Sequence, residues 1–116
     1  MLKSYKDLVV WQKSIELVKE LYITTAKLPK EEIYGLSAQM RRAAISIPSN
    51  IAEGQQRRGT KEFLQFLSIA YASGAELETQ LIIMHDLYPK TASPRVNSLL
   101  DEIQRMLNSL INKLAG

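Results

Sequence analysis

The sequence has no cysteine and a single histidine among its 116 residues. Without cysteine there is no disulfide framework, no thiolate nucleophile and no cysteine-ligated zinc site. A chain of this length is the usual size of one domain and buries roughly two-thirds of its unfolded surface, so it needs no such staple. The lack of cysteine fits a reducing compartment, and the expectation is a cytoplasmic protein. No apolar run approaches the roughly 20 residues that cross a bilayer. The opening MLKSYKDLVVW lacks the apolar core and small-residue cleavage site of a signal peptide. Charge of one sign is also in short supply. A net +3 and a pI near 9.2 permit contact with a polyanion without requiring it.

One histidine restricts the available chemistry. Di-iron bundles place Glu-x-x-His on two helices, and the residue three before His85 is Ile82. A Ser-His-Asp triad is allowed by count and unsupported by context. The stretch EGQQRRG is not the Gly-x-x-x-x-Gly-Lys-Ser/Thr of a phosphate loop, which would follow a strand, so it reads as a turn. His85, beside Asp86, reads as a surface or helix-end residue. The expectation is therefore a protein with no enzyme activity, no metal, no cofactor and no small-molecule substrate.

What the sequence does have is helical periodicity, in four stretches. The first spans about 7–28, where Leu8, Trp11, Ile15, Val18 and Tyr22 recur at three- and four-residue steps on one face. Asp7 reads as its N-cap and Pro29 as its limit. The second spans about 36–56, opened by Ser37 or Tyr34, with Leu36, Met40, Ala43, Ala44, Ile47 and Ile51 as its stripe. Pro48 falls inside and removes the donor to the Ala44 carbonyl. Because the apolar spacing continues to Ile51, Pro48 predicts a kink rather than an end, with Ser46, Ser49 and Asn50 in reach of the disturbed backbone. Gly54 or Gly59 is the expected stop.

The third stretch, about 60–88 with Thr60 as cap, carries Phe63, Leu67, Ala70, Gly74, Leu77, Leu81, Met84 and Tyr88 in unbroken steps of four and three. Small residues from Ala70 to Ala75 would let another backbone approach, with Ala43 and Ala44 as natural partners. The fourth, about 94–114, opens on Ser93 as cap and Pro94 at the first helical position, and continues through Val96, Leu100, Ile103, Leu107, Leu110 and Leu114. Four amphipathic helices with short connections predict an all-α, antiparallel up-down-up-down bundle in one domain, 1–116.

Three polar groups stand out. Glu53 and Glu76 lie near apolar seams, where a carboxylate must be paired, solvated or protonated. Arg41, Arg42 and Asn50 are the expected partners in a network that fixes helix register, against the alternatives of a ligand or catalytic acid and of plain solvent exposure. Arg57, Arg58 and Lys61 cluster in the turn between the second and third helices, with Arg41 and Arg42 earlier. They read either as a solvated turn or as phosphate contacts, which need only cations and backbone donors on one face. No helix-turn-helix, zinc finger or aromatic RNA-binding signature accompanies them. Trp11 reads as core, with an interface anchor as the alternative.

The stretch QMRRAAISIPSNIAEG, from Gln39 to Gly54, closely resembles the signature of the bacterial four-helix-bundle proteins encoded in intervening sequences of 23S ribosomal RNA genes. DLVVWQ (Asp7 to Gln12), YGL (Tyr34 to Leu36) and ELETQL (Glu76 to Leu81) resemble the same family in order. The family often has Gly-Ser before its ELE segment, where this chain has Ala72-Ser73-Gly74. Trp11, Gln39, Arg42, Pro48, Asn50, Glu53, Gly54 and Glu76 are the signature residues this implies. The chain is also similar to the accessory variability protein of diversity-generating retroelements, a basic pentameric bundle that works with a reverse transcriptase and RNA. The resemblance implies a bundle that assembles as a homo-oligomer, typically a homopentamer, with an RNA or RNP partner and no membrane. Arg41, Arg57, Arg58 and Lys61 are the nucleic-acid-binding candidates. The alternative is a protein-interaction scaffold that binds no nucleic acid. Leu17, Leu21, Phe66 and Ile83 are the apolar residues left over for the contact between copies.

Overall fold

The structure is a computed structural model that describes residues 4–116. Its long helices are α1 (Val9–Thr25), α2 (Leu36–Gln56), α3 (Thr60–Leu87) and α4 (Pro94–Ala115), with short 3-10 turns at Tyr5–Asp7, Lys30–Glu32 and Pro89–Thr91. There is no strand among the described residues. Each helix packs on the next and α1 also packs on α4, which closes an up-down-up-down bundle. The bundle measures 43 × 20 × 20 Å. The 28 residues of α3 alone span about 42 Å at 1.5 Å per residue, so one helix sets the long dimension.

The core runs the length of the bundle. Leu17, Leu21, Met40, Ile47, Ile51, Leu67, Leu77, Ile103 and Leu107 are fully buried. Each such side chain stabilises the fold by about 1.5–3 kcal/mol relative to leaving it exposed. The predicted seams of α2, α3 and α4 are the buried ones, with Phe63, Tyr88, Leu110 and Leu114 half-covered at the ends.

The face of α1 is a correction. The residues facing the core are Val10, Ser14, Leu17, Leu21 and Thr24, so Leu17 and Leu21 have no surface to offer another copy. Trp11, Ile15 and Val18 are half-buried and Tyr22 is exposed. α1 carries two apolar stripes one residue out of register, and the sequence favours the one without serine or threonine. Burial of Ser14 and Thr25 is inexpensive because their hydroxyls are satisfied within the helix. Ser14 Oγ donates to the Val10 carbonyl at 2.6 Å and Thr25 Oγ1 to the Leu21 carbonyl at 2.9 Å.

Several boundaries also move. α1 begins at Val9 after a turn whose cap is Ser4, its Oγ accepting from the Lys6 N–H, so Asp7 is not the N-cap. It ends at Thr25, and Leu28 is buried beyond it. Neither Ser37 nor Tyr34 opens α2. Gly35 stands at the cap, and Glu32 Oε1, reaching across from the preceding turn, accepts from the Leu36 N–H at 3.1 Å. Thr60 is the first residue of α3, with Gly59 before it as cap. Ser93 Oγ does accept from the Val96 N–H, with Pro94 at the first helical position.

α2 runs on through Pro48, and Asn50 Nδ2 donates one turn back to the Ser46 carbonyl at 2.8 Å. Gly54 does not end the helix. It is buried inside it, where an added Cβ would meet Phe66 Cβ at 2.6 Å, so glycine here lets α3 come close. The chain instead reverses at Arg58, a non-glycine residue with φ of 65°. Gly74 gives room to Gln104 of α4 rather than to α2. Gln104 Nε2 then donates to the Tyr71 carbonyl at 2.9 Å.

Candidate functional site

The antiparallel topology brings three chain segments to one end of the rod: the start of α1, the α2–α3 turn and the close of α4. Arg57, Arg58 and Lys61 meet there as the sequence predicts. The same end gains Lys6 and Lys113, which sequence reading missed because their proximity exists only once α1 and α4 are packed. Arg57 is held in place. Its Nη2 donates to Glu53 Oε2 at 3.0 Å and its guanidinium lies 5.2 Å from the centre of the Phe66 ring. Arg58 and Lys61 are exposed and form no ion pair with any described residue. Asp7 and Glu62 share this end, so the basic character is moderate.

Arg41 is elsewhere. Sixteen residues before Arg57 on one helix, it stands about 24 Å away along the axis. Its Nε donates to Thr25 Oγ1 at 2.9 Å, its Nη2 to the Tyr22 carbonyl at 3.3 Å, and its guanidinium lies 4.2 Å from the centre of the Tyr22 ring. These contacts clamp the last turn of α1, where a cation also suits the helix dipole.

The expected carboxylate network is not formed. Glu53 pairs with Arg57, and Glu76 accepts from Gln80 Nε2 at 3.2 Å. Neither is bonded to Arg41, Arg42 or Asn50. Both carboxylates are exposed, and each takes a partner one turn along its own helix, where the backbone already holds the two side chains together. Asn50 belongs to a different cluster. Its Nδ2 donates to Ser46 Oγ at 2.9 Å, and Ser46 Oγ shares a hydrogen with Ser73 Oγ of α3 at 2.9 Å. Gln39, Arg42, Ser46, Asn50 and Glu53 follow one another at three- and four-residue steps along the polar flank of α2. His85 is exposed in the last turn of α3, and the described residues hold no group of His, Asp and Glu arranged for a metal ion.

Along the side of the rod runs a groove between α1 and α2, floored by Trp11, Ile15, Val18 and Pro48 and edged by Ile45 and Tyr5. The Tyr5 ring stands edge-on to Trp11 with centroids 5.3 Å apart. Trp11 is thus a half-buried wall of a surface groove rather than a core residue. No helix among the described residues is long and apolar enough to cross a membrane.

These features define an all-α up-down bundle with a cationic end and an apolar side. The chain belongs to the 23S rRNA-intervening sequence protein family, whose model matches residues 6–109. It is similar to a solved protein of unknown function from the S23 ribosomal protein family of Bacteroides thetaiotaomicron. That likeness has a TM-score of 0.77 at 26% identity, over 89% of this chain and 98% of the other. Comparison with curated proteins gives no match. Nothing in the family or in this relative points to a catalytic class.

Proposed function

We propose that this protein is a non-enzymatic, cytoplasmic bundle that assembles as a homo-oligomer, typically a pentamer, and binds structured RNA as an accessory of an RNP. The observation that carries the reading is the end of the rod where Arg58 and Lys61 stand exposed without a carboxylate partner. Arg57 is fixed beside them, and Lys6 and Lys113 sit on neighbouring segments. One such end is a weak phosphate site. Repeated around an axis, it becomes multivalent, and modest contacts combine into useful affinity. Readout of this kind tracks backbone phosphates and has little sequence preference. Arg41, tied to α1, contributes to RNA binding less than the turn residues do.

The test is fluorescence anisotropy with a structured ribosomal RNA fragment at low salt, alongside light scattering on the same protein. A mass several times 13.1 kDa together with RNA binding is expected. No RNA binding at low salt removes the RNA reading. In that case the apolar groove between α1 and α2 favours the second reading, a protein-interaction scaffold. A pull-down that yields one protein and is insensitive to nuclease would identify that outcome.

A further inference from the structure

α1 is apolar on two faces, and the bundle covers only one of them. Trp11, Ile15 and Val18 of the second stripe form one wall of the groove whose other wall is α2, and Tyr22 continues the stripe beyond the groove. Ile45 is 41% exposed and Tyr22 38%. An apolar groove on its own does not say what fills it, but here the charges around it do.

The rim of the groove is basic. Lys19, one helical turn from Ile15 on α1, and Arg42, one turn before Ile45 on α2, are exposed on the flanks of the helices that form it. The nearby acids are turned away or occupied: Glu16 and Glu20 face α4, where both engage Arg95, and Glu53 is held by Arg57. The outer face of α3 has the opposite character. From Glu62 to Pro89 the chain contains no lysine or arginine. Its outward residues combine isoleucine and alanine with acids: Ile69 (47% exposed), Ala72, Glu76, Ile83 (44% exposed) and Asp86. Ala72 and Ala75 leave the middle of that face low enough for a helix to approach closely.

We infer that the groove between α1 and α2 of one copy receives the outer face of α3 of the next copy. This inference rests on the assembly reading above and adds the two surfaces that meet. Charge excludes the symmetric alternatives. Groove against groove would set Lys19 and Arg42 against the same cations, and α3 against α3 would set Glu76 and Asp86 against the same acids. Groove against α3 pairs apolar with apolar and basic with acidic. Two different faces make a head-to-tail contact, which leaves a free face at each end of a chain of copies unless the ring closes. The basic turn of Arg57 to Lys61 lies outside both surfaces and stays open to RNA.

Two full-length variants test the pairing. One carries Lys19→Glu and Arg42→Glu, so groove and α3 are both acidic. The other carries Glu76→Lys and Asp86→Lys, so both are basic. All four positions are surface sites, and circular dichroism verifies that each variant is helical. By sedimentation at low salt, each variant alone should need about tenfold or more higher concentration to associate than the wild type. An equimolar mixture should associate again, because alternating copies set each groove against an α3 face of opposite charge, with a single junction between like variants left over in a five-membered ring. If the wild type associates and neither variant differs from it, or if the mixture stays apart, the pairing of these faces is wrong while the assembly reading stands. A wild type that is monomeric at every concentration overturns both.

Discussion

The Tyr88 hydroxyl donates to Glu32 Oε2 at 2.7 Å, joining two loops 56 residues apart in sequence. The other oxygen of the same carboxylate accepts from the Leu36 N–H, so one side chain both caps α2 and ties it to the end of α3. Both bonds favour the ionised acid and hold Glu32 below the ordinary carboxylate value. The same contact pushes the Tyr88 phenol upward. A carboxyl group with a depressed folded pKa contributes stability above its unfolded value, near 4.5, which is lost as pH falls through the folded value. A phenol with a raised folded pKa contributes below its unfolded value, near 10, and loses that contribution as pH rises through the folded value. Tyr88→Phe should therefore lower the urea midpoint at neutral pH, and the difference from wild type should shrink as the acid is titrated. A difference that is constant from neutral pH to pH 3 would contradict this role.

Gly54 is inside a helix, where alanine is ordinarily better by about 1 kcal/mol. Here a Cβ would meet Phe66 Cβ at 2.6 Å, and overpacking of that kind costs about 1–3 kcal/mol. Gly54→Ala should destabilise the fold by roughly 1 kcal/mol net in chemical denaturation. A stabilised variant would show that α3 does not pack this closely.

Arg58 reverses the chain with φ of 65°, a conformation glycine adopts without a steric penalty. Arg58→Gly should stabilise the bundle by about 0.5–1 kcal/mol and at the same time weaken RNA binding. The opposite signs separate the conformational role of this position from its charge. They are read by thermal melting and by anisotropy on the same sample.

The two stripes of α1 differ in their energetics. Leu17→Ala removes a fully buried side chain and should cost about 2–5 kcal/mol of folding stability. Ile45→Ala, on the exposed wall of the groove, should change folding by no more than about 0.5 kcal/mol while weakening association between copies. Denaturation of the two variants in parallel, with their masses, distinguishes core from surface.

Much of this fold was legible in the residues. The seams of α2, α3 and α4 follow from spacing because in each of those helices one apolar stripe is longer and more regular than any other, and Ser93-Pro94 marks the start of α4 by its chemistry. α1 is ambiguous because it has two such stripes. Spacing cannot rank them, and the buried one includes Ser14 and Thr24. Glu32 was invisible as a cap because it acts from outside the helix, across a turn. Of the site, the turn cluster was legible because Arg57, Arg58 and Lys61 are near neighbours in sequence. Lys6 and Lys113 join it only through the packing of the chain ends. Tyr34, offered by the sequence as an alternative to Ser37 for the start of α2, is 95% exposed beside the Glu32 joint, and nothing in its spacing marks it as surface.

The most direct test of the account is the salt dependence of RNA binding by the assembled protein. The logarithm of affinity should fall linearly and steeply with the logarithm of salt concentration. Changing Arg57, Arg58 and Lys61 together to alanine should flatten that slope while the mass by light scattering stays the same. Binding that is indifferent to salt, or a slope the triple variant does not alter, would contradict a phosphate-reading end.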